Sequence, residues 1–248
     1  MKRQCILLAL SAFAVFACAA CNGSPGRPGP GSEILPPDQI VEFNILYGQN
    51  CAGCHGSGGN GGAAIALRDS VFLAIADDAA IRRAAATGVH GTAMPAFAQS
   101  AGGMLTDKQI DALVSGIRSW AQSGFLRGAN SPPYAAKTPS DPQRGAEVYQ
   151  TFCSSCHGSD GAGGKKASSV VDGSYLALVS DQHLRTIVIV GRPELGAPDW
   201  RVDVPGRPLS DQEITDVVAW LASQRAPNPG QPYPDPKDAQ HKEHHDVD

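Results

Sequence analysis

The sequence predicts an all-α protein built from two small helical domains in tandem. Three observations carry this reading. The run Cys51-Ala52-Gly53-Cys54-His55-Gly56 returns as Cys153-Ser154-Ser155-Cys156-His157-Gly158, 102 residues later. The positions that follow it also recur, with the spacing drifting from 102 to 103 and then 104, as two one-residue gaps would produce. Each copy closes with a capped segment whose apolar residues share one helical face, and no alternating pattern competes for a strand.

Taken in order, residues 1–20 read as an export signal. Lys2 and Arg3 precede an apolar run, residues 6–20, which is too short and too soon followed by Gly and Pro to span a membrane. Residues 21–38 are rich in Gly, Pro and Ser, cannot bury a core, and are expected to be a tether. The two domains occupy residues 39–124 and 141–226, joined by a Pro-, Ser- and Ala-rich linker at 125–140. Residues 227–248 are a proline-rich and then charged tail, in which His241, His244 and His245 read as solvated.

Within each domain the same elements are expected. A short helix enters the Cys-x-x-Cys-His run, and a Gly-rich loop follows at 56–62 and 158–164. A middle helix comes next (77–87 and 181–190), then a loop with one Xaa-Pro step, Met94-Pro95 or Ala197-Pro198. Thr106 caps the first closing helix, with Ile110, Leu113, Val114 and Ile117 on one face. Ser210 caps the second, with Glu213 at the capping-box position and Ile214, Val217, Val218 and Leu221 behind it. The Gly161-Ala162-Gly163-Gly164-Lys165 stretch is not a phosphate loop, because Lys166 stands where Ser or Thr is needed and no strand precedes it.

The duplicated run carries the chemistry. Cys-x-x-Cys-His reads as a c-type haem attachment site. Two thiols three residues apart can each form a thioether with one porphyrin edge, and the adjacent histidine is then carried beneath the iron. Cys51, Cys54, Cys153 and Cys156 are therefore expected to hold two covalently bound haem c groups, with His55 and His157 as iron ligands. A zinc site would bring its cysteine pairs closer together and has no place for the histidines. A thioredoxin-like motif would need one pair, not two. Buried haem also offsets the small core available to domains of this size.

The order helix, Cys-x-x-Cys-His, middle helix, Met-Pro loop and closing helix resembles that of class I cytochromes c, so the chain looks like a di-haem member with two such domains. The resemblance implies that Met94 is the sixth ligand of the first iron, with Met104 and His90 as bystanders in the loops. The second copy departs from the pattern, since Ala197 stands where the methionine belongs. His183 aligns with Ala80 on the middle helix, away from the ligand loop, and is not expected to replace it. The second iron is thus expected to have its distal side open or filled by water or a substitute. The family's crossing of first and last helices implies two reciprocal large–small pairs, Phe43 with Gly116 and Gly145 with Trp220.

Cys21, after Ala19-Ala20, resembles the lipidated cysteine of bacterial lipoproteins, although Cys18 stands where that signal usually has Leu. A plain secretory signal is the alternative. The resemblance implies a lipid on Cys21 and a place on the periplasmic side of a bacterial membrane. Removing Lys2 and Arg3 with the signal leaves 18 of the 20 basic residues against 24 acidic ones, an excess of six negative charges. That balance argues against nucleic acid and for docking to redox proteins with basic patches. The implied function is transfer of single electrons in a respiratory chain, between a quinol-oxidising complex and a terminal oxidase or other acceptor. The alternative is a haem enzyme or gas-binding protein that uses the open distal site.

Overall fold

The computed structural model describes residues 35–127, 129–201, 204 and 206–226. The residues expected to form an export signal, Cys21 and the tail histidines lie outside them. Residues 35–39 form a piece of their own around a 3-10 turn, Pro37–Gln39, and the residues from Ile40 onward form one compact unit. Among the described residues there is no strand, and no helix is long and apolar enough to cross a membrane.

The first copy contains α1 (Phe43–Asn50), α2 (Ala52–His55), α3 (Ser70–Ile75), α4 (Asp78–Thr87) and α5 (Asp107–Arg118). The second contains α6 (Pro142–Phe152), α7 (Ser154–His157), α8 (Gly173–Ala177), α9 (Asp181–Val190) and α10 (Asp211–Ser223). Side-chain caps start the main helices. Glu42 accepts the N–H groups of Asn44 and Ile45 for α1, and Asp141 accepts those of Gln143 and Arg144 for α6, where Pro142 adds its preset φ. Both closing helices carry full capping boxes, Thr106 with Gln109 and Ser210 with Glu213. The short helices α3 and α8 escape sequence reading because one turn and a half shows no periodicity. Their signal is the recurring cap, Asp69 and Asp172.

The two copies pack alike. The first helix crosses the closing helix (α1 on α5, α6 on α10), and the middle helix lies against the closing one (α4 on α5, α9 on α10). Both predicted crossing pairs meet. A Cβ added to Gly116 would overlap the Phe43 ring, and one added to Gly145 would lie 2.9 Å from Trp220 Cβ. The second crossing is the tighter of the two, since the nearest obstacle to Gly145 is the backbone of Asp216. Aromatic rings extend each contact: Trp120 lies 5.2 Å from both Phe43 and Tyr47, and Trp220 lies 4.2 Å from Tyr149.

Arginines staple the middle of each copy. Arg118 donates to the carbonyls of Leu73 (2.5 Å) and Ala76 (2.6 Å) and to Asp78 (2.6 Å). Arg225 does the same for Leu176 (3.1 Å), Val179 (3.0 Å) and Asp181 (2.5 Å). The three targets correspond between copies, but the two arginines do not align in sequence.

The copies also touch each other. α9 packs on α3, Arg192 Nη2 donates to the Gly62 carbonyl at 2.8 Å, and Ala93 N–H donates to the Leu178 carbonyl at 3.4 Å. The linker is folded onto the second copy. Arg185, 2 % exposed, donates to the carbonyls of Pro133 (2.9 Å) and Tyr134 (3.2 Å), and Gln182 reaches the Tyr134 carbonyl at 2.8 Å.

Candidate functional site

Each Cys-x-x-Cys-His run sits where α1 or α6 turns into the short helix α2 or α7. A tyrosine fixes the turn from behind: Tyr47 donates to the Gly56 carbonyl at 3.0 Å and Tyr149 to the Gly158 carbonyl at 2.6 Å. Cys51 and Cys153 are half-buried, Cys54 and Cys156 are exposed, and none of the four is in a disulfide. Burial, with the neighbouring Cys54, pushes the Cys51 thiol up to about 11, so it stays protonated at neutral pH.

The histidines are oriented in the same way. His55 Nδ1 lies 2.9 Å from the Ile65 carbonyl and His157 Nδ1 lies 2.7 Å from the Ser168 carbonyl. A carbonyl only accepts, so each Nδ1 carries the proton and each Nε2 keeps its lone pair for a ligand bond. Burial lowers the His55 pKa against the opposing effect of the Ile65 hydrogen bond, which favours the neutral, ligating form. The Gly-rich loop closes tightly around this group: Gly62 lies so near the Cys54 carbonyl that an added Cβ would sit 2.8 Å from it. Two thiols, one neutral imidazole nitrogen and a loop of backbone are a donor set that fits a covalently attached haem.

The ligand loops superimpose in their hydrogen bonding. Val89 N–H donates to the Met94 carbonyl at 3.1 Å, and Arg192 N–H donates to the Ala197 carbonyl at 3.0 Å. Gly88 (φ 67°) and Gly191 (φ 72°) let each loop fold back on its middle helix, where a Cβ would lie 2.7 Å from the Met94 or the Ala197 carbonyl oxygen. Ala197 therefore occupies the place of Met94. Thr92 steadies the first loop, its hydroxyl accepting Met94 N–H at 3.1 Å.

His183 lies on α9, as its alignment with Ala80 implies, half-buried and within electrostatic reach of Arg192 and of His55. Burial, then the nearby Arg192 charge, depresses its pKa to about 4. Arg192 is paired with Glu194 (2.5 Å) and Asp199 with Arg201 (2.7 Å), so the polar residues flanking Ala197 are committed to one another. His90 and Met104 both sit in loops, and Met104 is 82 % exposed. Among the described residues no group of three or more His, Cys, Asp or Glu is arranged to hold a bare metal ion.

Residues 38–115 and 140–221 match the family described as cytochrome c oxidase, cbb3-type, subunit III. The chain belongs to this family. The chain is a di-haem class I c-type cytochrome, carrying two covalently bound haem c groups on tandem all-α domains. Among curated relatives, it is 32 % identical over 211 residues to the cbb3-type cytochrome c oxidase subunit FixPc of Rhizobium leguminosarum bv. viciae, covering 77 % of this chain and 64 % of the relative. It is 30 % identical over 160 residues to the subunit FixP of Sinorhizobium medicae (58 % of this chain, 50 % of the relative) and 33 % identical over 135 residues to the subunit CcoP of an Azospirillum species (50 % and 40 %). The chain thus spans 40 to 64 % of the length of these relatives. A chain of the Kuenenia stuttgartiensis reducing HAO-like protein complex is similar over 78 % of this chain and all of its own, with a TM-score of 0.42 and 20 % identity.

Proposed function

We propose that this protein carries single electrons between a quinol-oxidising complex and a terminal oxidase, with two haems that differ in their axial ligands. Cys51 and Cys54 would hold the first haem by thioethers, with His55 and Met94 at its iron. Cys153 and Cys156 would hold the second, with His157 on one side and no protein sulfur on the other. Haem supplies reversible one-electron chemistry. The chain's own residues set its terms: the Ile65 and Ser168 carbonyls fix the imidazole tautomers, and the paired ligand loops decide what faces each iron.

The observation that carries the reading is the exchange of Met94 for Ala197 within one conserved loop geometry. A His/Met set raises the potential, and axial ligands tune haem over about 0.8 V, so the two centres should differ in potential. The membership in a cbb3-type oxidase family and the identities of the relatives support an oxidase as the electron acceptor. An enzymatic use of the second haem is less well supported, because Arg192, Glu194, Asp199 and Arg201 are consumed in ion pairs. A lipid on Cys21 and a periplasmic position belong to the same proposal. Carbon monoxide added to the reduced protein tests the asymmetry: one equivalent per two haems is expected, and no binding would refute an open second site.

A further inference from the structure

The two haem-site imidazoles share their hydrogen bonding but not their surroundings: His55 is buried, 9 % exposed, whereas His157 is half-buried. Beside His55 the chain closes into a small circuit of backbone hydrogen bonds. Gly61 N–H donates to the His55 carbonyl (2.9 Å), Gly62 N–H to the Ala64 carbonyl (3.0 Å) and Ala64 N–H to the Cys54 carbonyl (2.9 Å). The next carbonyl, that of Ile65, is the one that takes the proton of His55 Nδ1. Whatever holds residues 61–65 therefore also holds the imidazole. The second copy repeats the circuit, with Gly163 N–H on the His157 carbonyl (2.9 Å) and Gly164 N–H on the Ala167 carbonyl (2.9 Å).

What differs is a contact from outside. The Gly62 carbonyl accepts Arg192 Nη2 at 2.8 Å, a bond that joins residues 130 apart in sequence. Its counterpart, the Gly164 carbonyl, receives no hydrogen bond among the described residues. Arg192 is itself held at both ends. Its N–H and carbonyl exchange hydrogen bonds with Ala197 (3.0 and 3.1 Å), and its Nε donates to Glu194 at 2.5 Å. Glu194 thus fixes one edge of the flat guanidinium while another N–H meets Gly62. The same carboxylate lies over Gly61, where an added Cβ would come within 3.0 Å of Glu194 Oε1. The Arg192 side chain is only 17 % exposed, so a charge-assisted bond from it is partly shielded from water. In the first copy the corresponding residue is Val89. Its N–H makes the same bond to the Met94 carbonyl, but its side chain has nothing to donate.

We propose that Arg192 is a positioning residue of the first haem site. From the second copy it braces residues 61–65, and through them it fixes the plane of the His55 imidazole. The histidine of one site is steadied from the ligand loop of the other, and nothing returns the brace to His157. The inference rests on the reading that His55 and Met94 are the ligands of the first iron.

Electron paramagnetic resonance of the oxidised full-length holoprotein tests this. In a ferric low-spin haem the orientation of the axial ligands sets the g values, whereas a nearby charge shifts the potential and leaves them in place. The low-spin signal lost in Met94→Ala identifies the first haem. Arg192→Leu should shift the g values of that signal and leave the second haem's signal where it was, which also shows that the fold survives. Arg192→Lys, which keeps the charge and a donor, should return the parent g values. If Arg192→Leu yields no holoprotein, Arg192→Gln, too short to reach Gly62, takes its place with the same expectation. A first-haem signal that does not move, a shift at both haems, or a shift that Arg192→Lys fails to reverse would overturn the proposal. A low-spin signal indifferent to Met94→Ala would refute the ligand set of the first iron, and the proposal with it.

Discussion

The ring of Phe43 rests directly on the bare Cα of Gly116, and no side chain larger than hydrogen fits beneath it. At the twin crossing Gly145 faces the Asp216 backbone instead. Ala in place of Gly favours a helix by about 1 kcal/mol, whereas overpacking costs about 1–3 kcal/mol. Both Gly116→Ala and Gly145→Ala should therefore lose stability on balance in denaturant unfolding. A second change, Phe43→Leu, should rescue Gly116→Ala because a ring can be replaced. No side-chain change should rescue Gly145→Ala, since backbone is the obstacle.

Restoring sulfur to the second loop gives a second prediction. Ala197→Met should abolish carbon monoxide binding to the reduced protein and raise the lower of the two potentials. Met94→Ala should do the reverse, doubling the carbon monoxide bound per protein and lowering the higher potential. Redox titration with carbon monoxide difference spectra reads both.

Arg185 and Arg82 are the same residue in the two copies but should differ in worth. Removing the buried Arg185 leaves Asp211 and the Pro133 carbonyl without their donor, a loss of about 3 kcal/mol or more. Arg82→Ala breaks an exposed pair and should cost less than about 1 kcal/mol. Unfolding of Arg185→Ala and Arg82→Ala, each against the parent, checks the ratio.

Asp216 is nearly inaccessible and receives Arg144 Nε (2.9 Å), Asp141 N–H (2.7 Å) and Gln212 Nε2 (2.9 Å). Burial alone would raise its pKa; these donors, Arg144 foremost, outweigh that and bring it below the ordinary carboxylate value. A depressed carboxylate stabilises the fold fully above the unfolded pKa, about 4, and the contribution fades as pH falls through the folded value. The parent should exceed Asp216→Asn in stability at neutral pH, and the difference should shrink below about pH 4. A constant difference across that range would contradict the assignment.

How much of this was legible beforehand follows the range of the interactions. The haem-attachment runs, the two capped closing helices and both crossing pairs could be read, because each is a short pattern or a register repeated between copies. The helices α3 and α8 were missed, being too short for periodicity, although Asp69 and Asp172 marked their starts. The arginine staples were missed because Arg118 and Arg225 reach matching carbonyls from unmatched positions. The seam formed by Arg192 with Gly62 and Ala93 with Leu178 depends on how one domain lies on the other. No local pattern encodes that.

The linker's grip on the second copy bears on where the gene can be cut. A second half begun at Asp141 would look complete by its cysteines and helices, yet it would leave a guanidinium buried for carbonyls that the cut has discarded. A self-sufficient fragment has to start upstream of Pro133, so the stretch between the two copies belongs to the one it precedes.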